Sequence, residues 1–131
     1  MGYTSVFVSG SWDDMAKVNE IIQRFEEISD VTHKWTAHES GGLLTNKIYL
    51  RCQTLLCIDG IDRAECLVAI MDDPTRSYLS TWTEIGMAIV SNIPVLIFGP
   101  LNTDDNIYTN HPSIRYFATL NEIAEFIKER I

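Results

Sequence analysis

The sequence predicts a single α/β domain over residues 1–131, in which helices cover both faces of a five-stranded parallel sheet. Two observations predict this class. Short apolar runs, typical of strands buried on both faces, alternate along the chain with longer segments whose apolar residues recur at helical spacing. Strands that alternate with helices are typical of parallel sheets. Five strands in a chain of 131 residues favour the flavodoxin-like strand order 2-1-3-4-5.

The composition argues against several classes of protein. Hydrophobic residues make up 46% of the chain and charged residues 21%, which is ordinary for a soluble globular protein. The net charge of -8 argues against a nucleic-acid polymer as partner, because phosphate contacts need clustered lysine and arginine. It still allows a single nucleotide as ligand. Apolar runs are far shorter than a membrane span, and no secretory signal follows Met1. We therefore expect a cytoplasmic protein without membrane contact.

The cysteines and histidines do not indicate a metal or another cofactor. The cysteines are odd in number, lack metal-type spacing and are typical of reduced, mostly buried thiols: Cys52, Cys57 and Cys66. The histidines form no ligand motif: His33, His38 and His111.

The first part of the chain predicts two strands around a helix. Residues 4–9 predict a strand, and a turn leads into a helix with the apolar stripe Val18, Ile21, Ile22, Phe25 and Ile28. Asp13 or Asp14 is expected to cap this helix. Residues 31–36 alternate and predict a second strand with one partly solvated face. Residues 37–47 are the least regular segment.

The remaining elements continue the alternation. Residues 48–59 predict a helix through Ile48, Cys52, Leu55 and Leu56. Residues 59–65 then form a turn, with another helical turn as the alternative, and lead into a buried strand at residues 66–71. A polar loop precedes a helix at residues 82–91, and strands follow at residues 93–98 and 114–117, separated by a long polar loop. A capping box opens the last helix, formed by Thr119 and Glu122.

Gly86 lies inside the predicted helix at residues 82–91. Glycine in a helix interior costs roughly 1 kcal/mol relative to alanine. Its presence there indicates close packing against the sheet or space for a ligand.

The predicted strand order places a ligand site around Glu84. In such sheets ligands bind beyond the carboxyl ends of the strands where the order reverses, here between the first and third strands. This rule selects two loops, residues 10–12 and 72–83, and Glu84 borders the second. Near the first turn of a helix, its carboxylate is expected to be held ionised by the helix dipole, as nucleophilic attack on a sugar carbon requires. The alternative is a glutamate that only complements the helix dipole. The strand-order argument and the chemical argument select the same crevice, which favours a functional Glu84.

The loop at residues 10–12 offers candidate ligand contacts. Gly10, with Ser9 and Ser11 beside it, either lets a phosphate or sugar oxygen approach the backbone or forms only a tight turn. Trp12 either stacks on a base or covers the helix end. Neither a dinucleotide fingerprint nor a P-loop is present.

The loop at residues 72–83 adds polar candidates. Ser80 and Thr81 either donate to an oxyanion or phosphate or serve as caps and turn formers. Asp72 is a candidate for holding a sugar hydroxyl.

Three segments carry a resemblance to a known family. Residues 83–88 contain a Glu-hydrophobic-Gly-x-Ala segment, and residues 92–95 begin the strand after it. Residues 7–12 look like a Tyr-Phe-x-Gly-Ser opening, and Asp59 precedes the third strand. Together they resemble the nucleoside 2-deoxyribosyltransferase superfamily, which includes the 2'-deoxynucleoside 5'-phosphate N-hydrolases. The resemblance covers nearly the whole chain in element order.

The resemblance implies a mechanism and a set of residues. Glu84 would attack C1' of the sugar and form a glycosyl-enzyme ester, which water or a second base resolves. Asp59 would orient the nucleophile, bind the sugar hydroxyl or help protonate the leaving base, with Asp62 as its alternative. The resemblance also implies a homodimer or larger homo-oligomer in which a neighbouring chain completes each site. The candidate for that contribution is the loop at residues 99–113, with Asn102, Asn106 and Tyr108.

Two positions depart from the family pattern. Phe7 stands where many members have a tyrosine whose hydroxyl lies near the nucleophile. Tyr78 stands six residues before Glu84, where many transferases have aspartate and the phosphate hydrolases have serine. Asp72 and Ser80 are the alternatives for that role. These departures make Phe7 and Tyr78 candidates for setting the substrate.

The sequence leaves several functions open for a small-molecule nucleoside or nucleotide ligand. The first is transfer or cleavage of the N-glycosidic bond of a deoxynucleoside, and the second is N-hydrolysis of a 2'-deoxynucleoside 5'-monophosphate. The third is a non-catalytic nucleotide-binding or sensor module. The fourth is an NAD-cleaving enzyme of the related interleukin-receptor-like fold.

Overall fold

Five parallel strands form one sheet in a computed structural model that describes residues 2–37, 47–99 and 111–129. The strands are β1 (Ser5–Gly10), β2 (Asp30–Val31), β3 (Cys66–Ile70), β4 (Val95–Phe98) and β5 (Ile114–Phe117). Their order is β2-β1-β3-β4-β5, and every neighbouring pair is parallel. The predicted fold class and strand order are therefore confirmed.

Four α-helices accompany the sheet within the described residues: α1 (Met15–Glu26), α2 (Lys47–Arg63), α3 (Leu79–Val90) and α4 (Leu120–Glu129). The crossover from β1 to β2 through α1 and the crossover from β2 to β3 through α2 run in opposite directions across the sheet. Because such crossovers are right-handed, α1 lies on one face and α2 on the other. Successive residues of β1 face these two opposite sides of the sheet. An added Cβ on Gly10 would meet the Val18 side chain of α1, whereas Ser9 contacts Glu84 of α3.

The core lies on both faces of the two central strands. Every residue of β3 is buried, as are Val6, Phe7 and Val8 of β1. In β1 and β3 the register pairs Phe7 with Leu67 and Ser9 with Ala69, so the two strands end side by side. Because their ends are fixed by this core, the loops that follow them are held at one edge of the sheet.

The second strand is shorter than predicted. It covers only Asp30–Val31, and a 3-10 turn forms at Trp35–Ala37 where the alternation predicted continued strand. The chain leaves the sheet because Trp35 turns inward and is only 4% exposed, donating from its indole Nε1 to the Val8 carbonyl at 2.7 Å. Packing of one large aromatic side chain therefore overrides the strand pattern.

Helix α2 is longer than predicted and presents a different face. It continues past Asp59 to Arg63, so the alternative of another helical turn, and not the turn, is what forms there. The predicted apolar positions on α2 are exposed, with Ile48 72% and Leu55 67% accessible, whereas Gln53, Gly60 and Ile61 are buried. An added Cβ on Gly60 would lie 3.1 Å from Phe7 Cδ1, so the glycine permits close packing.

Helix α3 begins at Leu79, three residues before the predicted start. Glu84 consequently lies in its second turn. Gly86 has no atom within 4 Å of an added Cβ, so close packing, the first of the two alternatives for this glycine, is wrong. It faces open space in a groove between α2 and α3.

Of the two predicted helix caps, the one at α4 forms and the one at α1 does not. The capping box is present, since the Glu122 amide donates to Thr119 Oγ1 at 3.1 Å and that hydroxyl donates to the Glu122 carboxylate at 3.0 Å. At α1, Asp14 occupies the N-cap position but makes no capping hydrogen bond, because its carboxylate pairs with Arg76 instead. A 3-10 turn at Trp12–Asp14 precedes this helix.

Several predicted features lie outside the described residues. They include most of the irregular segment at residues 37–47, with His38, and most of the loop at residues 99–113, with Asn102, Asn106 and Tyr108. Within the described part of the chain, no helix is both long and apolar enough to cross a membrane. The same residues contain no group of three or more His, Cys, Asp or Glu side chains arranged to hold a metal ion.

Candidate active site

A cavity of about 720 Å³ opens where β1 ends and where the chain from β3 enters α3. This volume falls within the range of roughly 300–1,000 Å³ that is usual for small-molecule pockets. It lies at the crevice selected by the strand order. Seven of the predicted site residues line it: Gly10, Ser11, Trp12, Tyr78, Ser80, Thr81 and Glu84.

The Glu84 carboxylate is held by a residue of another element. Ser9, fully buried at the end of β1, donates from Oγ to Glu84 Oε1 at 2.5 Å. Cys57 of α2 lines the same cavity, near enough for each of the two groups to affect the pKa of the other. Three elements that are distant in sequence therefore meet at this cavity.

Burial raises the pKa of Glu84 to about 7, although Ser9 and Cys57 act in the opposite direction. The expectation that the helix dipole holds this carboxylate ionised is therefore wrong in sign. Glu84 lies in the second turn of α3, and the dipole acts mainly within the first turn. Desolvation disfavours the charged form of a carboxyl group and dominates here.

The Cys57 thiol keeps its proton at neutral pH. Its pKa is raised to about 12, chiefly by burial, and Glu84 contributes in the same direction. A thiol with so high a pKa is a poor nucleophile.

Stacked indoles form one wall of the cavity. Trp12 and Trp35 have ring centroids 5.4 Å apart and an interplanar angle of 22°. The Trp12 Nε1 is buried and has no hydrogen-bond partner among the described residues. Nearby on α2, the buried Gln53 places Oε1 3.1 Å from His33 Nε2. This wall offers both an apolar surface and polar groups to a planar ligand.

The N-terminus of α3 faces the cavity without a side-chain cap. Tyr78, at the N-cap position, adopts a left-handed conformation with φ of 54°. Its hydroxyl instead accepts from the Asp73 amide at 3.0 Å. Thr81 is 1% exposed, and its Oγ1 has no partner within the part of the chain that the structure describes. The turn therefore carries donors that remain available to an anionic ligand.

Arg76 lines the cavity, but its charge is shared among carboxylates. Its guanidinium lies 2.9 Å from Asp14 Oδ1, 3.5 Å from Asp73 Oδ2 and 3.8 Å from Asp13 Oδ2. The hydrogen bond to Asp14 is the largest cause of its raised pKa. These contacts fix the loop after β3 against the loop after β1.

Three predicted site residues do not line this cavity. Asp59 is exposed on α2, pairs with Arg63 at 2.8 Å and borders the separate groove between α2 and α3, as Asp62 does. Asp72 pairs with Lys17 at 2.5 Å. Phe7 is fully buried beneath the site. The structure therefore does not bring Asp59 together with Glu84.

Three residues that line the cavity were not singled out from the sequence: Trp35, Gln53 and Cys57. They depend on how α2 and the 3-10 turn at Trp35–Ala37 pack, which the local sequence does not encode. Ser9 was expected only beside Gly10 and Ser11 in a ligand-binding turn, and its bond to Glu84 was not predicted. A signal was present, since Ser9 falls two positions after Phe7 and alternate strand residues share a face.

No protein-family model matches the chain, and no curated protein sequence matches it significantly. Solved structures are similar to it. One is the 2-deoxyribosyltransferase of the psychrotolerant bacterium Bacillus psychrosaccharolyticus, with a TM-score of 0.62 and 15% identity, covering 92% of this chain and 90% of that chain. Another is the CMP N-glycosidase of Clostridium botulinum, with a TM-score of 0.55 and 16% identity, covering 93% of this chain and 96% of that chain. The chain therefore shares its fold with these two enzymes, and the resemblance carried by its motifs is confirmed at the level of the fold.

Proposed function

We propose that this protein cleaves or transfers the N-glycosidic bond of a deoxynucleoside or its monophosphate, with Glu84 as the nucleophile. The observation that carries the proposal is the Glu84 carboxylate, which reaches the cavity from α3 and accepts from Ser9 Oγ at 2.5 Å. The names of the two similar proteins, a 2-deoxyribosyltransferase and a CMP N-glycosidase, support chemistry at this bond.

The reaction proceeds in two displacements at C1' of the sugar. A Glu84 oxygen forms a bond to C1' while the bond from C1' to the base nitrogen breaks, and the base leaves with the electron pair. Water or a second base then attacks C1' and releases the carboxylate, and the proton that the attacking group loses balances the proton that the departed base gains. Water gives hydrolysis, and a second base gives transfer. The stacked Trp12 and Trp35 offer the apolar surface against which a base would lie.

Chromatography after incubation with a panel of deoxynucleosides and their monophosphates tests the proposal, with and without a second free base. Wild type should release base, and Glu84→Gln should not. A new nucleoside in the presence of the second base identifies a transferase, whereas free base alone identifies a hydrolase. Base release by Glu84→Gln at the wild-type rate would rule out Glu84 as nucleophile.

The Asp59→Asn variant distinguishes the two candidate carboxylates in the same assay. The Asp59 side chain pairs with Arg63 and borders the other groove, so the variant should still release base. Loss of activity would place Asp59 in the reaction. Nucleotide binding without base release in wild type would favour a sensor module, and nicotinamide release from NAD would favour the NAD-cleaving alternative.

The uncapped start of α3 favours a phosphorylated substrate as a second candidate. The buried Thr81 hydroxyl has no partner among the described residues and lies at a helix N-terminus that faces the cavity. A 5'-phosphate there would accept hydrogen bonds from this hydroxyl and from the first amides of the helix. Thr81→Val should lower kcat/KM for a monophosphate by roughly tenfold, the size expected for a lost hydrogen bond to a charged group. Thr81→Ser is the matched control, and an equal loss for the unphosphorylated nucleoside would contradict this preference.

A further inference from the structure

Gln53 is a buried amide in the wall of the cavity. It lies on α2, lines the cavity together with Glu84 and is only 7% exposed. Buried polar side chains are generally held by hydrogen bonds. The Oε1 of Gln53 lies 3.1 Å from Nε2 of the half-buried His33. Because an amide oxygen only accepts hydrogen bonds, His33 is the donor in this contact and orients the amide.

The amide nitrogen of Gln53 is the group left for a ligand. It carries two N–H donors and makes no hydrogen bond among the described residues. Unlike the Nε1 of Trp12, it is not fully enclosed, so it is reachable from the cavity that Gln53 lines. Since the contact with His33 occupies the oxygen side of the amide, the N–H groups are what Gln53 presents to a ligand.

Gln53 shares its wall of the cavity with the stacked indoles of Trp12 and Trp35. Glu84, the proposed nucleophile, enters the same cavity from α3. A base that lies flat against the indoles directs its hydrogen-bonding edge sideways, in the plane of its ring. A donor beside the indoles is therefore placed to meet that edge.

We infer that Gln53 reads the edge of the base that points away from the sugar, and that it selects bases that carry an oxygen there. This inference rests on the proposed function. Thymine, uracil, guanine and hypoxanthine offer a carbonyl oxygen at this edge, whereas cytosine and adenine offer an amino group. The N–H groups of Gln53 pair with the oxygen, but against an amino group donors face donors and stay unpaired. His33 is a positioning residue, because it keeps the amide oxygen turned away from the base.

Equilibrium binding of free bases tests the inference without any turnover. Quenching of tryptophan fluorescence reports binding, since Trp12 and Trp35 line the cavity. Uracil is compared with cytosine, and hypoxanthine with adenine, because the members of each pair differ in whether they carry an oxygen or an amino group at this edge. Wild type should bind an oxygen-bearing base roughly tenfold more tightly than its amino partner. Equal affinities, tighter binding of the amino bases or binding of none of the four would overturn the inference.

Substitutions at Gln53 and His33 should change this preference in different ways. Gln53→Glu offers only acceptors, so the amino bases should become the tighter ligands. Gln23→Glu, at an exposed position on α1, is the control for the added charge. His33→Ala frees the amide to rotate, so the ratio of affinities should fall towards one, whereas His33→Gln keeps an N–H donor and should retain the preference. Wild-type ratios in both Gln53→Glu and His33→Ala would overturn the inference.

Base release from the matching deoxynucleosides separates this inference from the proposed function. Release from both members of each pair, with no preference in kcat/KM or in base binding, would support the proposed function and overturn the role of Gln53. Tighter binding of the oxygen-bearing bases by a protein that releases no base would support the role of Gln53 and contradict the proposed function.

Discussion

Ser9 and Glu84 form a hydrogen bond of 2.5 Å between Oγ and Oε1, which joins the end of β1 to the second turn of α3. The two residues are 75 positions apart in the chain. Short hydrogen bonds between a hydroxyl and an ionised carboxylate are among the stronger ones in proteins. This bond fixes the carboxylate at the edge of the sheet where the cavity opens.

Ser9→Ala should shift the acid limb of the reaction to higher pH. The hydrogen bond from Ser9 lowers the pKa of Glu84, whereas burial raises it. Without Ser9 the pKa of Glu84 should therefore rise further. We expect kcat/KM at pH 6 to fall by roughly tenfold or more, with partial recovery at pH 9. Ser5→Ala, at the other end of β1, is the matched control. A pH profile of Ser9→Ala that overlays wild type would contradict the role of this bond.

Glu84→Gln should stabilise the protein at alkaline pH but not at acidic pH. The pKa of Glu84 is raised from its ordinary value of 4.5 to about 7 in the folded state. Between these values the folded chain binds more protons than the unfolded chain, so the contribution of this group to stability decreases as pH rises. The glutamine should therefore gain up to about 3 kcal/mol of unfolding free energy at pH 8.

Thermal unfolding of Glu84→Gln and wild type between pH 4 and pH 9 measures this effect. The two proteins should have similar midpoints at pH 4 and diverge through pH 7. Glu20→Gln, an exposed position on α1, should show no such divergence. A difference between Glu84→Gln and wild type that does not depend on pH would contradict the raised pKa.

Two glycine substitutions in neighbouring helices should have opposite effects on stability. Gly86→Ala places a methyl group in open space, so α3 should gain about 1 kcal/mol from helix propensity. Gly60→Ala places a methyl group 3.0 Å from His33 Cβ and 3.1 Å from Phe7 Cδ1. Overpacking of this kind typically costs about 1–3 kcal/mol, offset in part by the same propensity. Urea unfolding of both variants checks the prediction, and shifts in the same direction would contradict it.

Phe7→Tyr should lower stability, because Phe7 is fully buried against Gly60. A hydroxyl added there without a partner costs roughly 1–3 kcal/mol. Phe25→Tyr, at a second buried phenylalanine on α1, is the control for the cost of a buried hydroxyl. Urea unfolding and base release are measured together. Unchanged stability with an altered rate in Phe7→Tyr would show that the new hydroxyl reaches the site.

The periodicity of apolar residues predicted the topology well, because a strand that is buried on both faces of a parallel sheet must be apolar along its whole length. The apolar runs at β3 and β4, and the stripe of α1, are dictated by what each segment must bury. Element ends were less predictable. The predicted second strand failed at Trp35, whose indole bonds to the Val8 carbonyl, a contact that no local pattern signals.

Local periodicity, together with the rule that ligands bind where strand order reverses, was enough to predict the strand order, the edge of the sheet where the cavity opens and the position of Glu84 at that edge. The buried face of α2 was not predictable in this way, and the packing of that helix places Cys57, not Asp59, in the cavity of Glu84. The direction of the Glu84 pKa shift likewise comes from packing. Desolvation and side-chain convergence depend on how three distant segments pack, which no single stretch of sequence specifies.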